Sequence, residues 1–175
     1  MNRDDLLQAL AARTEEVASG FAGLDEQTFH RGTAEQWSPA YHLDHLTRSN
    51  TVLAMALSMP RDRFGWGRRP AGTPGQSEEA LRTEYQRRLR EQGLRASGRF
   101  LPDPRGTQAE QVEAYRQSHA LLAHHLLAYT DEAELDTATL PHPALGELSL
   151  RELLFFTHYH NDHHLRGAHA ALETP

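Results

Sequence analysis

Residues 149–172 read SLRELLFFTHYHNDHHLRGAHAAL. Ser149 followed by Glu152 matches a capping box, which opens a helix here. At 100° per residue, Leu153, Phe156, Thr157, His160, His164, Ala168 and Ala171 share one face. His158, Asp162, Arg166 and His169 share the opposite, polar one. His160 and His164 therefore point inward, one turn apart. An i, i+4 pair is the spacing by which a helix offers two imidazoles to one metal ion. A pair hydrogen-bonded into an apolar core has the same spacing, and the pattern alone leaves both readings open. His163 borders the same face. In an H-E-x-x-H metalloprotease the second position is the general base. Asn161 stands there, and Asp162 faces away, so that chemistry is disfavoured.

The rest of the chain reads as helices, with no convincing strand. A first helix over residues 3–22 spaces Leu6, Leu10, Val17 and Phe21 near the 3.6 period and closes at Gly20 and Gly23. A second opens at Ser38-Pro39 and runs to about Met59, before Pro60. Residues 61–76, RDRFGWGRRPAGTPGQ, form a long Gly/Pro/Arg-rich loop. A third helix runs from Ser77 to about Arg95, followed by an irregular stretch, SGRFLPDPRG. A fourth starts at a second capping box, Thr107 with Glu110, and carries the stripe Val112, Tyr115, His119, Leu122 and Leu126. A loop with Pro141, Pro143 and Gly146 leads into the last helix. Four long amphipathic helices plus a shorter or looser one predict an all-α, four-helix bundle in a single domain over residues 1–175.

A third ligand must come from another helix. On the second, His45 shares a face with Tyr41, Ser49, Val52 and Ala56, small or apolar residues suited to a core. His42 lies about 60° away and is the weaker choice, and Asp44 is expected in solvent. His119 reads as a core histidine, with a supporting role beside a metal as the alternative. His124 and His125 flank the stripe of the fourth helix, and His30 and His142 fall in predicted loops.

Composition narrows the chemistry. The 175 residues contain no cysteine and no lysine, which removes disulfides, thiolate nucleophiles, Schiff bases and a Walker lysine. Histidine is in surplus at 12 residues. The net charge of −6 argues against nucleic-acid binding. No apolar run approaches the roughly 20 residues of a membrane span. The first residues lack a signal-peptide pattern, so a cytoplasmic location is expected. Charge is uneven, however. Residues 61–105 hold 11 Arg against 6 acids, while the remainder holds 7 against 18. The basic middle is a solvated helix face plus a loop, or else an anion-attracting rim over a pocket.

Together, WSPAYHLDHLTRS at 37–49 and LGELSLRELLFFTHYHNDHHLRGA at 145–168 resemble the DinB-like superfamily, and within it the branch that includes the bacillithiol transferases. The resemblance implies a four-helix bundle holding a divalent metal with three histidines. One follows the W-S-P segment, and two come from an H-x-x-x-H segment of the last long helix. The matching positions are His45, His160 and His164, the three that the helical faces select. A homodimer is implied as well.

Three neutral imidazoles leave a coordination position open on zinc or nickel, as in catalytic rather than structural sites. Two chemistries then arise: activation of a low-molecular-weight thiol cosubstrate for S-transfer to a small molecule, or activation of water for hydrolysis. The missing cysteine suits the first, with arginines such as Arg63, Arg68 or Arg69 recognising the thiol's carboxylates. No inward carboxylate is evident as a base for the second. A non-catalytic metal-binding bundle needs only the same three histidines, and a pocket at the open position separates it from an enzyme.

Overall fold

The computed structural model of the chain describes residues 1–32 and 37–173. Its long helices are α1 (Arg3–Ala22), α3 (Pro39–Ser58), α4 (Glu78–Gln92), α5 (Gln108–Tyr129) and α7 (Leu150–Glu173). Two short ones, α2 (Glu26–His30) and α6 (Glu132–Thr137), lie between them, and residues Gly98–Phe100 make one 3-10 turn. The fold is mainly helical. Helices α1, α5, α3 and α7 close a ring of contacts, each packing on the next and α7 returning to α1, while α4 lies against α7.

The helix starts follow local chemistry. Ser38 accepts a bond from the Tyr41 N–H with Pro39 at the first helical position, and Thr107 and Glu110 complete their capping box. Asn2 and Asp5 form a further capping box on α1. The predicted stripes are the buried faces: Leu6, Leu10, Val17 and Phe21 on α1, and Val112, Tyr115, Leu122 and Leu126 on α5, are at most 3% exposed. Each such side chain contributes about 1.5–3 kcal/mol relative to exposure.

Several expectations are corrected. A three-stranded antiparallel sheet exists, with β1 (Gly67–Arg68), β2 (Ala138–His142) and β3 (Gly146–Ser149) in the order β1-β2-β3. The two prolines conceal it. β1 reaches only Ala138 and Thr139, so Pro141 has no partner on that side and its missing N–H opens no gap there. Pro143 sits in the three-residue turn, which Gly146 closes at φ +81°. His142 is thus a strand residue, and His30 ends a helix. The third helix stops at Gln92 rather than near Arg95, because Gly93 adopts the left-handed conformation at φ +59°. Gly20 lies inside α1, and Gly23 alone caps it. The short α2 and α6 escape periodicity, although Asp25 and Asp131 cap them.

The long loop before α4 is pinned rather than loose. Glu152 is 2% exposed. Its carboxylate accepts the N–H groups of Ser149 and Gln76, each at 2.7 Å, and the Arg69 guanidinium. The Ser149 hydroxyl accepts the Glu152 N–H in return at 3.2 Å, so the capping box of α7 doubles as the anchor of the loop.

Candidate metal centre

Helices α3 and α7 pack together and bring His45, His160 and His164 into one cluster. All three are buried, and one ring nitrogen of each lies within 4.8 Å of the other two. The Nε2 atoms of His160 and His164 face each other at 2.9 Å. His45 Nδ1 donates to the carbonyl oxygen of Phe100 at 2.7 Å, which holds the proton on Nδ1 and leaves the Nε2 lone pair free. That carbonyl comes from the 3-10 turn in the stretch expected to be irregular.

Burial drives the imidazoles of His45, His160 and His164 below the ordinary histidine range, the last two far below it. All three rings are therefore neutral near pH 7, the form a metal requires. The donor set fits a divalent ion: three convergent, buried, neutral imidazoles, one already oriented by a backbone carbonyl. His160 and His164 meet as the inner face of α7 predicts, and His45 completes the set. His163 stays outside it, with Nδ1 3.5 Å from the Tyr159 hydroxyl. Asn161, fully buried, turns to α5 and accepts the Tyr115 hydroxyl at 3.0 Å.

His42 takes a larger part than its helical angle suggests. Its Nδ1 lies 2.8 Å from His164 Nδ1, and Trp37 packs against His42, His45 and His164 with ring centres 5.4, 5.2 and 5.8 Å away. Gly167 makes room for it, since a Cβ there would lie 3.0 Å from His42 Cε1. The available signal is the i, i+3 spacing of His42 and His45. Asp44 is half-buried rather than solvated, accepting from Arg48 at 2.6 Å and from the Asp103 N–H at 2.7 Å. His119 is buried on α5 but lines neither the cluster nor its cavity.

The cluster opens on a cavity of 1010 Å³, lined by all three histidines and mostly by apolar side chains. No carboxylate lines it among the described residues. Two polar groups there were not foreseen. Tyr85 packs edge-on to His160 at 6.2 Å, and burial pushes its hydroxyl up to about 12, so it stays protonated. The recurrence Leu81, Tyr85, Leu89 on a polar helix is its signal. His142 accepts the Ala144 and Leu145 N–H groups on Nδ1, and burial, helped by Arg88, pushes it down to about 4. The arginines at the cavity are Arg95 and Arg99. Arg63, Arg68 and Arg69 do not line it, although Phe64 and Gly65 of the same loop do, and Arg69 is tied to Glu152.

The family model described as the DinB superfamily matches residues 2–168. The chain belongs to the DinB superfamily. No curated protein and no solved structure matches it. In this DinB-superfamily chain the three histidines implied by the sequence resemblance are the three that the fold gathers into a group able to hold a metal ion. No described helix is long and apolar enough to cross a membrane.

Proposed function

We propose that this DinB-superfamily protein is a metal-dependent enzyme for a small molecule, with His45, His160 and His164 holding one divalent ion, zinc or nickel. The observation that carries this reading is the opening of the histidine cluster onto a 1010 Å³ cavity, a volume at the top of the range for small-molecule sites. A purely structural site has no use for such a space. A divalent ion bound by three imidazoles supplies Lewis acidity, which favours the thiolate of a thiol or the hydroxide of water near neutral pH.

The residues of the chain support the first of these. Among the described residues no carboxylate lines the cavity to serve as a base for water, and the sequence has no cysteine to act as a nucleophile. A low-molecular-weight thiol cosubstrate brings the sulfur. Its thiolate forms a bond to an electrophilic carbon of the acceptor, the leaving group departs with its bonding pair, and the thiol proton passes to solvent. Through the Phe100 carbonyl, the 3-10 turn holds His45 in place, while Trp37 and His42 pack against His164. A homodimer belongs to the same proposal. It is supported by the exposed Met55 of α3 and the exposed Leu121 and Leu127 of α5, and light scattering across a dilution series tests it.

Elemental analysis of the purified protein, followed by a panel of thiols with a chromogenic aryl halide, tests the enzyme. One ion per chain and a thiol-specific rate that falls at least tenfold in His45→Ala support it. One ion per chain with no transfer to any acceptor moves the protein to the non-catalytic class. Transfer that survives complete metal removal overturns the role given to the ion.

A further inference from the structure

The large cavity is unlike a generic apolar cleft in its charge. Its walls are built from residues such as Val52, Leu53, Phe64, Leu140 and Phe156, and no aspartate or glutamate is among the described lining residues. Among the described lining residues its only formal charges are the guanidinium groups of Arg95, on the segment after α4, and Arg99, in the 3-10 turn, and both are exposed. Several arginines on the neighbouring segments are neutralised. Arg61, Arg69, Arg87 and Arg88 each meet a glutamate. Among the described residues Arg95 and Arg99 meet no carboxylate, and Arg99 instead lies 5.2 Å from the centre of the Phe64 ring. The protein as a whole carries −6, so two uncompensated cations beside an apolar hollow are a local inversion of its charge.

From this we infer that the cavity binds an amphiphilic anion, with a carboxylate or similar acidic head at Arg95 and Arg99 and an unbranched or aromatic apolar body along the inner walls. A guanidinium offers a planar fork of donors that matches a carboxylate bidentately. An apolar body gains about fourfold in affinity per buried methylene until the space is filled. A neutral apolar ligand leaves the arginines unused, and a cationic one is repelled. The binding step does not depend on the metal. Only the identification of this ligand as the acceptor in S-transfer rests on the function proposed above.

The test is isothermal titration of the full-length protein with hexanoate, octanoate and decanoate, against decanol and decyltrimethylammonium, in metal-loaded and metal-stripped form. Affinity rising about fourfold per methylene, decanoate at least tenfold tighter than decanol, and decyltrimethylammonium weakest are the expected results. The preference for decanoate over decanol disappears in R95A/R99A and shrinks when salt rises from 50 to 500 mM, in both metal states. Circular dichroism checks that this surface variant stays folded. Equal binding of decanoate and decanol overturns the inference, as does no binding of any chain. A preference that survives R95A/R99A but vanishes on metal removal places the head at the histidine cluster and also overturns it. Protein that holds no metal yet binds decanoate through the arginines defeats the proposed function and leaves this inference standing.

Discussion

The Nδ1 atoms of His42 and His164 stand 2.8 Å apart, so one must donate and the other accept. If His164 presents Nε2 to an ion, its proton sits on Nδ1 and His42 is the acceptor, with its own proton on Nε2. The hydrogen bond then selects the tautomer of His164, as the Phe100 carbonyl does for His45. Two of the three proposed ligands are thus oriented from behind, one by backbone and one by a fourth histidine.

Replacing His42 by Ala is expected to weaken zinc binding about 10- to 100-fold, the usual effect of losing such a partner. Asn, which can accept the same bond, restores part of it. Competition with a chromogenic chelator measures this. Unchanged affinity in His42→Ala shows that the contact does not orient His164.

His160→Ala and His164→Ala are expected to lose stoichiometric metal, whereas His163→Ala, His158→Ala and His169→Ala keep one ion per chain. His163 points to Tyr159, and His158 bonds Glu78 at 2.8 Å on the outer side of α7. Metal analysis after gel filtration separates the two groups. Loss of the ion in His163→Ala shifts the ligand set along the helix.

Glu152→Ala is expected to lower stability by about 2–4 kcal/mol, because it strands two N–H groups and a guanidinium that share one buried carboxylate. Glu152→Gln, which keeps an acceptor oxygen, loses less. Urea denaturation reads both. A change under 0.5 kcal/mol in Glu152→Ala means that the loop does not depend on this anchor.

Acid is expected to destabilise the protein through its buried histidines. In the folded chain burial holds His142 at about 4, against an unfolded value of about 6.5. Between these values the unfolded state binds more protons, so stability is complete above about pH 6.5 and falls as pH drops toward 4. Protonation of Nδ1 also breaks its bonds from Ala144 and Leu145. Thermal melts at pH 7 and pH 5 check the sign, and His142→Asn shows a shallower loss between them.

The helices are legible in the chain because their signals are short-range. The cap at Ser38, the boxes at Thr107 and Ser149, and the stripes of α1 and α5 each lie within a few turns. The hairpin of β2 and β3 is not. Its prolines read as loop, and only the shortness of β1 makes Pro141 acceptable inside a sheet. The rim arginines show the same limit. The excess of Arg in 61–105 is visible, yet nothing local distinguishes Arg95 and Arg99 from Arg63, Arg68 and Arg69. For Arg69 the distinction is made by Glu152, 83 residues away in sequence, which holds its guanidinium.

By itself, then, the sequence determined that the chain is helical and that His160 and His164 share one inward face. Both follow from the 3.6-residue repeat, which is a property of neighbouring residues. Tertiary structure alone decided that the Phe100 carbonyl would hold His45, that His42 would stand behind His164, and that the cluster would open on a cavity with no carboxylate among its described lining residues. Those relationships join residues 55 and 122 positions apart. They exist only because the packing of α3 against α7, and of the 3-10 turn against α3, places in contact groups that no local repeat connects.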